Sequence, residues 1–337
     1  MPAKSNPSET FDVDRIATLS SAILERVSTV VVGMQDSLEL ALASILAGGH
    51  VLFEDVPGLG KTLAARSLAS AIGLDFRRVQ CTPDLLPSDI TGSFVYSPGT
   101  SEFVFRPGPI FTGLLLADEI NRTSPKTQSA LLEAMAEGQV TVEGSSYPLP
   151  VPFHVIATSN PIEYEGTYAL PEAQLDRFMV RLAVGYPSRE GEQRVLLNRV
   201  ERRAEVANVD GVVTADELRS MQRGVEAVAV DEDIAMYCVD LANATREHGA
   251  VEVGASPRGA QGLLLVGRAL AVMAGRDYVT PEDIKRIAVP VLAHRLTLTP
   301  QAWANGTDPA EIVREVTDEV AGPPTVGATA VETASES

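Results

Sequence analysis

The stretch from Val51 to Thr62, VLFEDVPGLGKT, constrains the fold more than any other part of the chain. A short apolar run, typical of a buried strand, breaks at a Pro/Gly turn and continues into a segment with helical spacing of apolar residues. The loop and the start of that helix consist of Pro57, Gly58, Leu59, Gly60, Lys61, Thr62 and Leu63. Glycines allow backbone N–H groups to turn around a phosphate, a lysine neutralises the terminal phosphates, and a hydroxyl can bind Mg²⁺. The pattern predicts a phosphate-binding loop at a helix N-terminus, where the helix dipole also favours anions.

One position departs from the usual pattern of such loops. That pattern begins with a glycine five residues before the second glycine, and this chain has Asp55 there. The alternative interpretation is a Gly/Pro turn that precedes a surface lysine.

A second stretch, GLLLADEI from Gly113 to Ile120, carries two adjacent acids. A run that is apolar at every position indicates a strand buried on both faces, hence a parallel sheet covered by helices. Asp118 and Glu119 then emerge at the carboxyl edge of that sheet, where open α/β sheets bind ligands. An Asp there can hold the Mg²⁺ of a nucleotide, and the next Glu can polarise the water that attacks the γ-phosphate. The alternative is an ordinary pair of surface acids.

Two more strands complete this prediction. FHVIATSN, residues Phe153 to Asn160, is a buried strand, and Phe178 to Val184 forms the last strand of the sheet. Asn160 lies at a polar strand tip beside the expected γ-phosphate, where its amide can position the lytic water. An Asn that starts the turn before Pro161 is an equally good interpretation.

Three other places are candidates for nucleotide contact. The turn at Val32-Gly33, shortly before the phosphate-loop strand, can hold an adenine ring, although simple core packing explains it as well. Arg177 can supply a cation to a transition state, and its alternative is a surface charge. Arg258 lies in the first turn of a helix capped by Ser256, where a cation is unfavourable for the helix dipole, and this suggests that it faces an anion. A surface arginine is again the alternative.

The composition limits the possible functions. The chain has 337 residues, 45% of them apolar, and a formal net charge of −18. That charge and the lack of a dense Lys/Arg run argue against a nucleic-acid groove. No stretch of the sequence is long and apolar enough for membrane insertion, and no apolar signal core is present, so we expect a cytoplasmic protein. Cys81 and Cys238 lie far apart, which gives no support to a disulfide framework or a zinc site.

Composition and periodicity divide the chain into four parts. Residues 1–10 are polar and are expected to be a disordered arm, and 11–186 form an α/β nucleotide-binding domain. Helical patterns with good caps take over in residues 187–300, which we expect to form a smaller helical domain. Residues 301–337 are expected to be a disordered acidic tail.

The motifs GLGKT, LLLADE, ATSN, LDRF and SPRG occur in this order over about two hundred residues. Together they resemble the AAA+ ATPases, and EDVPGLGKT, TSNPIEYEGTYALPEAQLDRF and GASPRGAQGLL resemble the MoxR family in particular. The resemblance covers roughly residues 31–296. It implies a P-loop AAA+ core of the α/β class, with a five-stranded parallel sheet flanked by helices, and a smaller all-α lid domain with the nucleotide between them. A β-hairpin or extended excursion around residues 97–111 and a hairpin around residues 139–152 look like the insertions of the branch that includes magnesium chelatase subunits.

The resemblance also assigns roles to residues of this chain. It implies ATP and Mg²⁺ as cofactors, with Lys61 and Thr62 on the phosphates and Mg²⁺, Asp118 supporting Mg²⁺, and Glu119 activating water. Asn160 corresponds to the sensor on the fourth strand. Arg177 corresponds to an arginine finger that reaches a neighbouring subunit, and Arg258 to a lid sensor of the nucleotide in its own subunit.

The family further implies a homo-oligomer, usually a hexameric ring, that acts as a chaperone on client protein complexes, often with a von Willebrand factor A domain partner. A nucleotide-dependent switch or scaffold that binds ATP with little turnover is the alternative function. A DNA motor shares the same site, and the acidic charge counts against it. The presence of Glu119 and Arg177 favours hydrolysis over a pure switch.

Overall fold

The computed structural model describes residues 12–99, 101–161, 167–202 and 209–324. The predicted arm over residues 1–10 and the last part of the predicted tail, 325–337, lie outside these ranges. Within them, no helix has the length and apolar character that a membrane span requires.

Eleven strands lie in the described residues. They are β1 Val51–Glu54, β2 Phe76–Gln80, β3 Gly92–Ser97, β4 Glu102–Pro107, β5 Leu114–Asp118, β6 Gln139–Val142, β7 Ser145–Pro148, β8 His154–Ser159, β9 Val180–Leu182, β10 Val251–Val253 and β11 Thr297–Leu298. The same ranges contain thirteen α-helices. They are α1 Val13–Ser28, α2 Gln35–Leu46, α3 Lys61–Ala71, α4 Pro87–Thr91, α5 Pro125–Glu137, α6 Glu172–Leu175, α7 Arg189–Arg202, α8 Ala215–Glu226, α9 Glu232–Glu247, α10 Pro257–Met273, α11 Pro281–Leu292, α12 Pro300–Ala304 and α13 Pro309–Glu319.

A five-stranded parallel sheet in the order β2-β5-β8-β1-β9 forms the centre of the molecule. Every residue of β5 and β8 is buried, as the continuous apolar runs predict. The register pairs Gln80 with Asp118 and Glu54 with Ser159, so the strands end together at their carboxyl edge. The predicted fold class, an α/β parallel sheet flanked by helices, is confirmed.

Helices cover the sheet because their sequences place apolar residues toward it. The helix α2 is buried over most of its length, and α3 begins at Lys61, directly after the glycine loop. The Ser124 side chain caps α5, and Gly138, with φ of 63°, ends it. The segment expected to be a hairpin or an excursion around residues 97–111 is the antiparallel hairpin β3/β4, which begins earlier, at Gly92. The second expected hairpin is present as the antiparallel pair β6/β7.

After β9, the helices α8 and α10 pack against α1 and α2, and α11 also contacts β9 at the edge of the sheet. Capping boxes start α8 at Thr214 and α11 at Thr280. Buried apolar residues of α8, α9, α10 and α11 form one continuous core with those of α1, α2 and α3. This helical part also contains the small antiparallel pair β10/β11.

Polar contacts attach the helical part to α2 and, through Gln222 and His154 of β8, to the amino edge of the sheet. Gln222 Nε2 of α8 donates to the Ile45 carbonyl at 2.8 Å, and Arg286 of α11 contacts Glu39 through two hydrogen bonds of 3.0 and 2.5 Å. The helical part is therefore docked against α2 and the amino edge of the sheet in the α/β domain.

The predicted disordered tail from residue 301 is wrong in its first part. The helix α12 lies at its start, and α13 follows with an Asp308 cap and proline at its first position. Ile312, Val313 and Val316 lie on one face of α13 and are buried in the main core. The overall polar composition of this segment concealed the short amphipathic helix, because three apolar residues at helical spacing are enough to bury one face.

Candidate active site

The glycine loop has the backbone conformation that its sequence predicts. Gly58 and Gly60 have φ of 85° and 84°, a left-handed conformation that glycine adopts without strain. A Cβ atom added at either position would meet nothing within 4 Å, so open space lies beside both residues. The loop ends at the N-terminus of α3, whose unpaired N–H groups and dipole suit an anion. These features fit a bound phosphate.

Lys61 is held inside this loop. Its side chain is 8% exposed, and Nζ donates to the Asp55 carbonyl at 2.6 Å. Burial lowers the pKa of the Lys61 ammonium, and the charges of Asp55 and Asp118 act in the opposite direction. A cation so placed, with few water contacts, is suited to bind phosphate oxygens.

The predicted metal residues lie together. Thr62 Oγ1 donates to Asp118 Oδ2 at 3.2 Å, and the Thr158 hydroxyl donates to Asp118 Oδ1 at 2.6 Å. A hydroxyl and a carboxylate beside a phosphate site form an oxygen donor set that fits Mg²⁺, which proteins commonly bind with one or two carboxylates plus substrate phosphates. In the part of the chain that the structure describes, no cluster of three or more His, Cys, Asp or Glu side chains could hold a metal. Thr62 and Asp118 would hold Mg²⁺ together with phosphate oxygens of the nucleotide.

Glu119 follows Asp118 in a strained backbone conformation. Its φ of 58° is uncommon for a residue with a Cβ, and conformations of this kind cost about 1 kcal/mol or more. The Glu119 N–H donates to the Thr158 hydroxyl at 2.8 Å, which fixes the turn. The turn places the Glu119 side chain at the carboxyl edge of the sheet, where it contacts Gln80 of the neighbouring strand β2.

Two residues of β2 belong to the site, and no sequence motif identifies them. Arg78 contacts Asp118 Oδ2 through Nε at 2.9 Å and Nη2 at 2.7 Å, and Gln80 Nε2 donates to Glu119 Oε2 at 2.7 Å. Arg122 Nη1 also donates to Glu119 Oε2, at 3.0 Å. The one available signal is the alternation of polar residues at the end of β2, FRRVQ, which lies next to the strand of the two acids. Both acids are thus neutralised by local partners.

Asn160 lies at the same edge, directly after β8. It is 4% exposed, and its carbonyl accepts a hydrogen bond from Asn121 Nδ2 at 3.2 Å. Since β8 lies between β5 and β1, Asn160 is placed between the acids and the glycine loop. The position agrees with the prediction, and the role in orienting water stays a prediction.

The turn at Val32-Gly33 lies beside the segment that follows the last strand of the sheet. Gly33 has φ of 80°, and a Cβ atom there would lie 3.0 Å from Pro187 Cβ. A Cβ added to Gly191 would lie 3.6 Å from Val32 Cγ1. The turn is therefore packed against the start of α7, and its contact with an adenine ring stays a prediction.

Arg177 and Arg258 lie elsewhere, at the amino edge of the sheet. They line one open cavity of about 250 Å³ with the residues that precede β1, with parts of α5 and α10, and with Arg295, which follows α11. The cavity is lined by Gly48, Gly49, His50, Met135, Ala136, Asp176, Arg177, Met179, Arg258, Gln261, Gly262, Leu265 and Arg295. Arg177 Nη1 donates to the Leu132 carbonyl at 2.5 Å, and Arg258 Nη1 lies 3.7 Å from Asp176 Oδ2.

This placement corrects the expected role of Arg258 as a sensor of its own subunit's nucleotide. Gly49 and His50 precede β1, and Lys61 follows it. The four residues of β1 span about 13 Å at the usual rise of a strand. Arg258 shares a cavity with Gly49 and His50, so it faces the edge opposite its own glycine loop. The reason is long-range packing, because α10 lies on α1 and α2 and its N-terminus points to that edge.

A glycine loop, a buried lysine and an acidic pair at the carboxyl edge of a parallel sheet define a nucleotide-binding α/β ATPase fold. Comparisons with known proteins agree with this class. Residues 50–180 match the ATPase family associated with various cellular activities (AAA), and residues 243–316 match the AAA lid domain.

Proteins of similar sequence and structure identify the family more closely. YeaC of Bacillus subtilis, an uncharacterized protein, is 50% identical over 89% of this chain and 93% of its own length. Chaperone MoxR1 of Mycobacterium tuberculosis is 42% identical over 91% of this chain and 83% of its own length. A crystal structure from Cytophaga hutchinsonii, named as that of a candidate ATPase, is similar with a TM-score of 0.86 at 39% identity, over 93% of this chain and 97% of that one. The chain belongs to the MoxR family of AAA+ ATPases.

Proposed function

We propose that this protein hydrolyses ATP to ADP and phosphate with Mg²⁺ and uses the cycle to remodel or mature partner protein complexes in the cytoplasm. The observation that carries the proposal is the convergence of Lys61, Thr62, Asp118 and Glu119 at one edge of the sheet. The name of the relative Chaperone MoxR1 supports the chaperone part.

The chemistry follows from the positions of these side chains. Lys61 and the loop N–H groups bind the β- and γ-phosphates, and bound Mg²⁺ would neutralise charge that develops on the phosphate oxygens. Glu119 accepts a proton from water as the water oxygen attacks the γ-phosphorus and the bond to the β-phosphate oxygen breaks. Asn160 orients that water. Before this, Glu119 has to exchange its hydrogen bonds with Gln80 and Arg122 for one with water.

We infer that the site is completed between subunits of a homo-oligomer, a hexameric ring in our proposal. Arg177 and Arg258 lie at the edge opposite their own glycine loop, so one subunit's arginines can face the loop of the next in a head-to-tail assembly. An arginine supplied in this way contributes about 10³ to 10⁵ in rate in related phosphoryl transfers. A client protein, with a von Willebrand factor A domain partner, is the proposed target of the resulting motion.

The test of hydrolysis is the variant Glu119→Gln. We expect it to retain ATP binding and to lose steady-state phosphate release, because the amide cannot accept the proton of water. Phosphate release equal to that of the parent would refute the role of Glu119. The same variant, held in ATP, is the bait for capture of the client.

The test of the shared site uses mixtures. Arg177→Ala or Arg258→Ala subunits are expected to bind ATP without hydrolysing it, and to regain turnover when mixed with Lys61→Ala subunits. In such a mixture, an intact loop can meet an intact arginine edge. Absence of recovery at every mixing ratio would contradict an arginine acting between subunits.

A nucleotide-dependent switch with little turnover is the second candidate function. The observation in its favour is that Arg78, Gln80 and Arg122 already occupy the carboxylates of the acidic pair. Parent protein that binds ATP and releases no phosphate, while Gln80→Ala protein releases it, would support the switch.

A further inference from the structure

Asp55 is the residue at which this loop departs from the usual glycine, and it lies at the centre of a set of backbone contacts. Its N–H donates to the Ser159 carbonyl at 3.1 Å, and its carbonyl accepts from Lys61 Nζ at 2.6 Å. Asp55 therefore touches both the lysine of the loop and the strand end that leads to Asn160.

The Asp55 carboxylate accepts three backbone hydrogen bonds. Oδ1 accepts from the Val56 N–H at 2.7 Å, and Oδ2 accepts from the N–H groups of Val184 and Gly185 at 2.7 and 2.6 Å. Partial burial opposes ionisation, but the N–H groups of Gly185, Val56 and Val184 outweigh it and hold the pKa of this carboxyl below its ordinary value. An ionised carboxylate is the acceptor that such a set of donors requires, because an amide would place its own N–H₂ against one of them.

The partners of Oδ2 lie in the connection between the sheet and the helical part of the chain. Val184 and Gly185 follow β9, and Gly185 has φ of 70°, so the backbone bends there. Two residues later, Pro187 packs against Gly33 in the turn proposed for the adenine ring. The helix α7 begins at Arg189.

Resting on the proposed function, we propose that Asp55 is a positioning residue that couples nucleotide binding to the connection 184–187. The Lys61 ammonium is bound to the Asp55 carbonyl in this structure, and a bound γ-phosphate competes for that ammonium. Release of the carbonyl changes the position of Asp55, and the carboxylate passes this change to the N–H groups of Val184 and Gly185. The glycine present in other loops has no side chain with which to make this link.

The chain offers a control next to Asp55. Glu54 also joins the loop strand to β9, through an ion pair of 2.9 Å with Arg181. A general weakening of the contact between these two strands would therefore appear in Glu54→Gln as well as in Asp55 variants. The coupling proposed here would appear in Asp55 variants alone.

The experiment places a fluorescent reporter in the connection. Tyr186 is 76% exposed, so Tyr186→Trp in a Trp303→Phe background reports on this segment with one tryptophan. Fluorescence is recorded while ATP or ADP is added to saturation, and binding is measured separately with a fluorescent ATP analogue. We expect the reporter protein to respond to ATP more than to ADP.

Two substitutions of Asp55 are compared in that background. Asp55→Gly restores the usual loop pattern, so we expect it to bind the analogue within about threefold of the parent, because the loop keeps its phosphate contacts. Its reporter response to ATP should be lost, because the charge-assisted hydrogen bonds from the N–H groups of Val184 and Gly185 to the carboxylate are absent. Asp55→Asn should show the same loss of response. Glu54→Gln should keep the parent response.

The outcomes separate this inference from the proposed function. A full reporter response in Asp55→Gly, or an equal loss in Glu54→Gln, overturns the coupling while binding and hydrolysis in the parent stand. Failure of the parent to bind the analogue overturns the proposed nucleotide site itself. Should Asp55→Asn fail to fold by circular dichroism, Asp55→Gly still decides the question.

Discussion

Two buried histidines at the amino edge of the sheet should make this protein sensitive to mild acid. His50 precedes β1, and its Nε2 lies 3.2 Å from the Met135 carbonyl, while its Nδ1 accepts from the Val155 N–H at 3.0 Å. His154 of β8 has Nδ1 2.9 Å from the Gly49 carbonyl and Nε2 3.1 Å from Gln222 Nε2. Each ring thus has one nitrogen facing a hydrogen-bond donor, so a second proton on the ring has no acceptor.

The size of the expected stability loss follows from the pKa values of the two histidines. Burial lowers the pKa of His50 to about 4, with a smaller contribution from His154, and burial lowers the pKa of His154 to about 4 as well. Both values lie below the unfolded value of about 6.5. The unfolded chain therefore binds more protons as the pH falls from about 6.5 toward 4, and the folded state loses stability over that window. Between pH 7 and pH 5 this amounts to about 2 kcal/mol for each histidine, or about 4 kcal/mol of a typical total of 5–15.

The assay is urea unfolding followed by circular dichroism at several pH values between 7 and 5. We expect the unfolding midpoint to fall steeply, and we expect His154→Gln to begin less stable at pH 7 and to lose the roughly 2 kcal/mol of pH dependence that His154 contributes, while His50 and the buried His294, whose pKa is also lowered, keep theirs. A midpoint that is the same at pH 7 and pH 5 would refute the reasoning. Because His154 contacts Gln222 of α8, we expect a spectroscopic reporter placed in the helical part to change before the rest of the protein unfolds as the pH falls.

Two further predictions concern stability. Asp176→Ala removes the carboxylate that lies 2.8 Å from Arg295 Nε, and the Arg295 side chain is 3% exposed. We expect the free energy of unfolding to fall by about 3–5 kcal/mol, because a buried charge loses its partner. Equilibrium unfolding measures this change, and a loss below about 1 kcal/mol would contradict the burial of this pair. Val313 lies in the fully buried face of α13, and we expect Val313→Ala to lower the free energy of unfolding by about 1–3 kcal/mol. Trp303 is exposed, and Trp303→Ala should lower it by less than about 0.5 kcal/mol. Equal melting temperatures for these two variants would contradict the packing of α13 on the core.

The carboxyl edge of the sheet could be predicted from the sequence because its signals are local. Continuous apolar runs predict parallel strands, and parallel strands end at one edge, so polar residues directly after the runs meet there. The apolar runs alone therefore predict that Asp118 and Asn160 lie near Lys61. Arg78 and Gln80 could not be predicted in this way, because charged residues on an outer strand are usual and only the register with β5 gives them partners.

The amino edge could not be predicted in the same way. The position of Arg258 in the first turn of α10 is a local property, and the sequence predicts it correctly. Which end of the sheet that turn reaches depends on how α10 packs on α1 and α2, and periodicity shows only that a helix has an apolar face. The helix α13 in the predicted tail was missed for a related reason, because average composition does not show that a few apolar residues share one face of a helix.

The two ends of the short strand β1 lie next to different parts of the proposed catalytic site. Gly49 and His50 directly precede β1 and lie next to two arginines, and Glu54 ends the strand next to the glycine loop, about 13 Å away. In the head-to-tail row of subunits that we propose, the first loop lacks arginines and the last arginines lack a loop. An open row of a given number of subunits therefore has one complete site fewer than subunits, and closure into a ring adds that last site. The rate of hydrolysis per subunit should thus report directly whether the ring is closed.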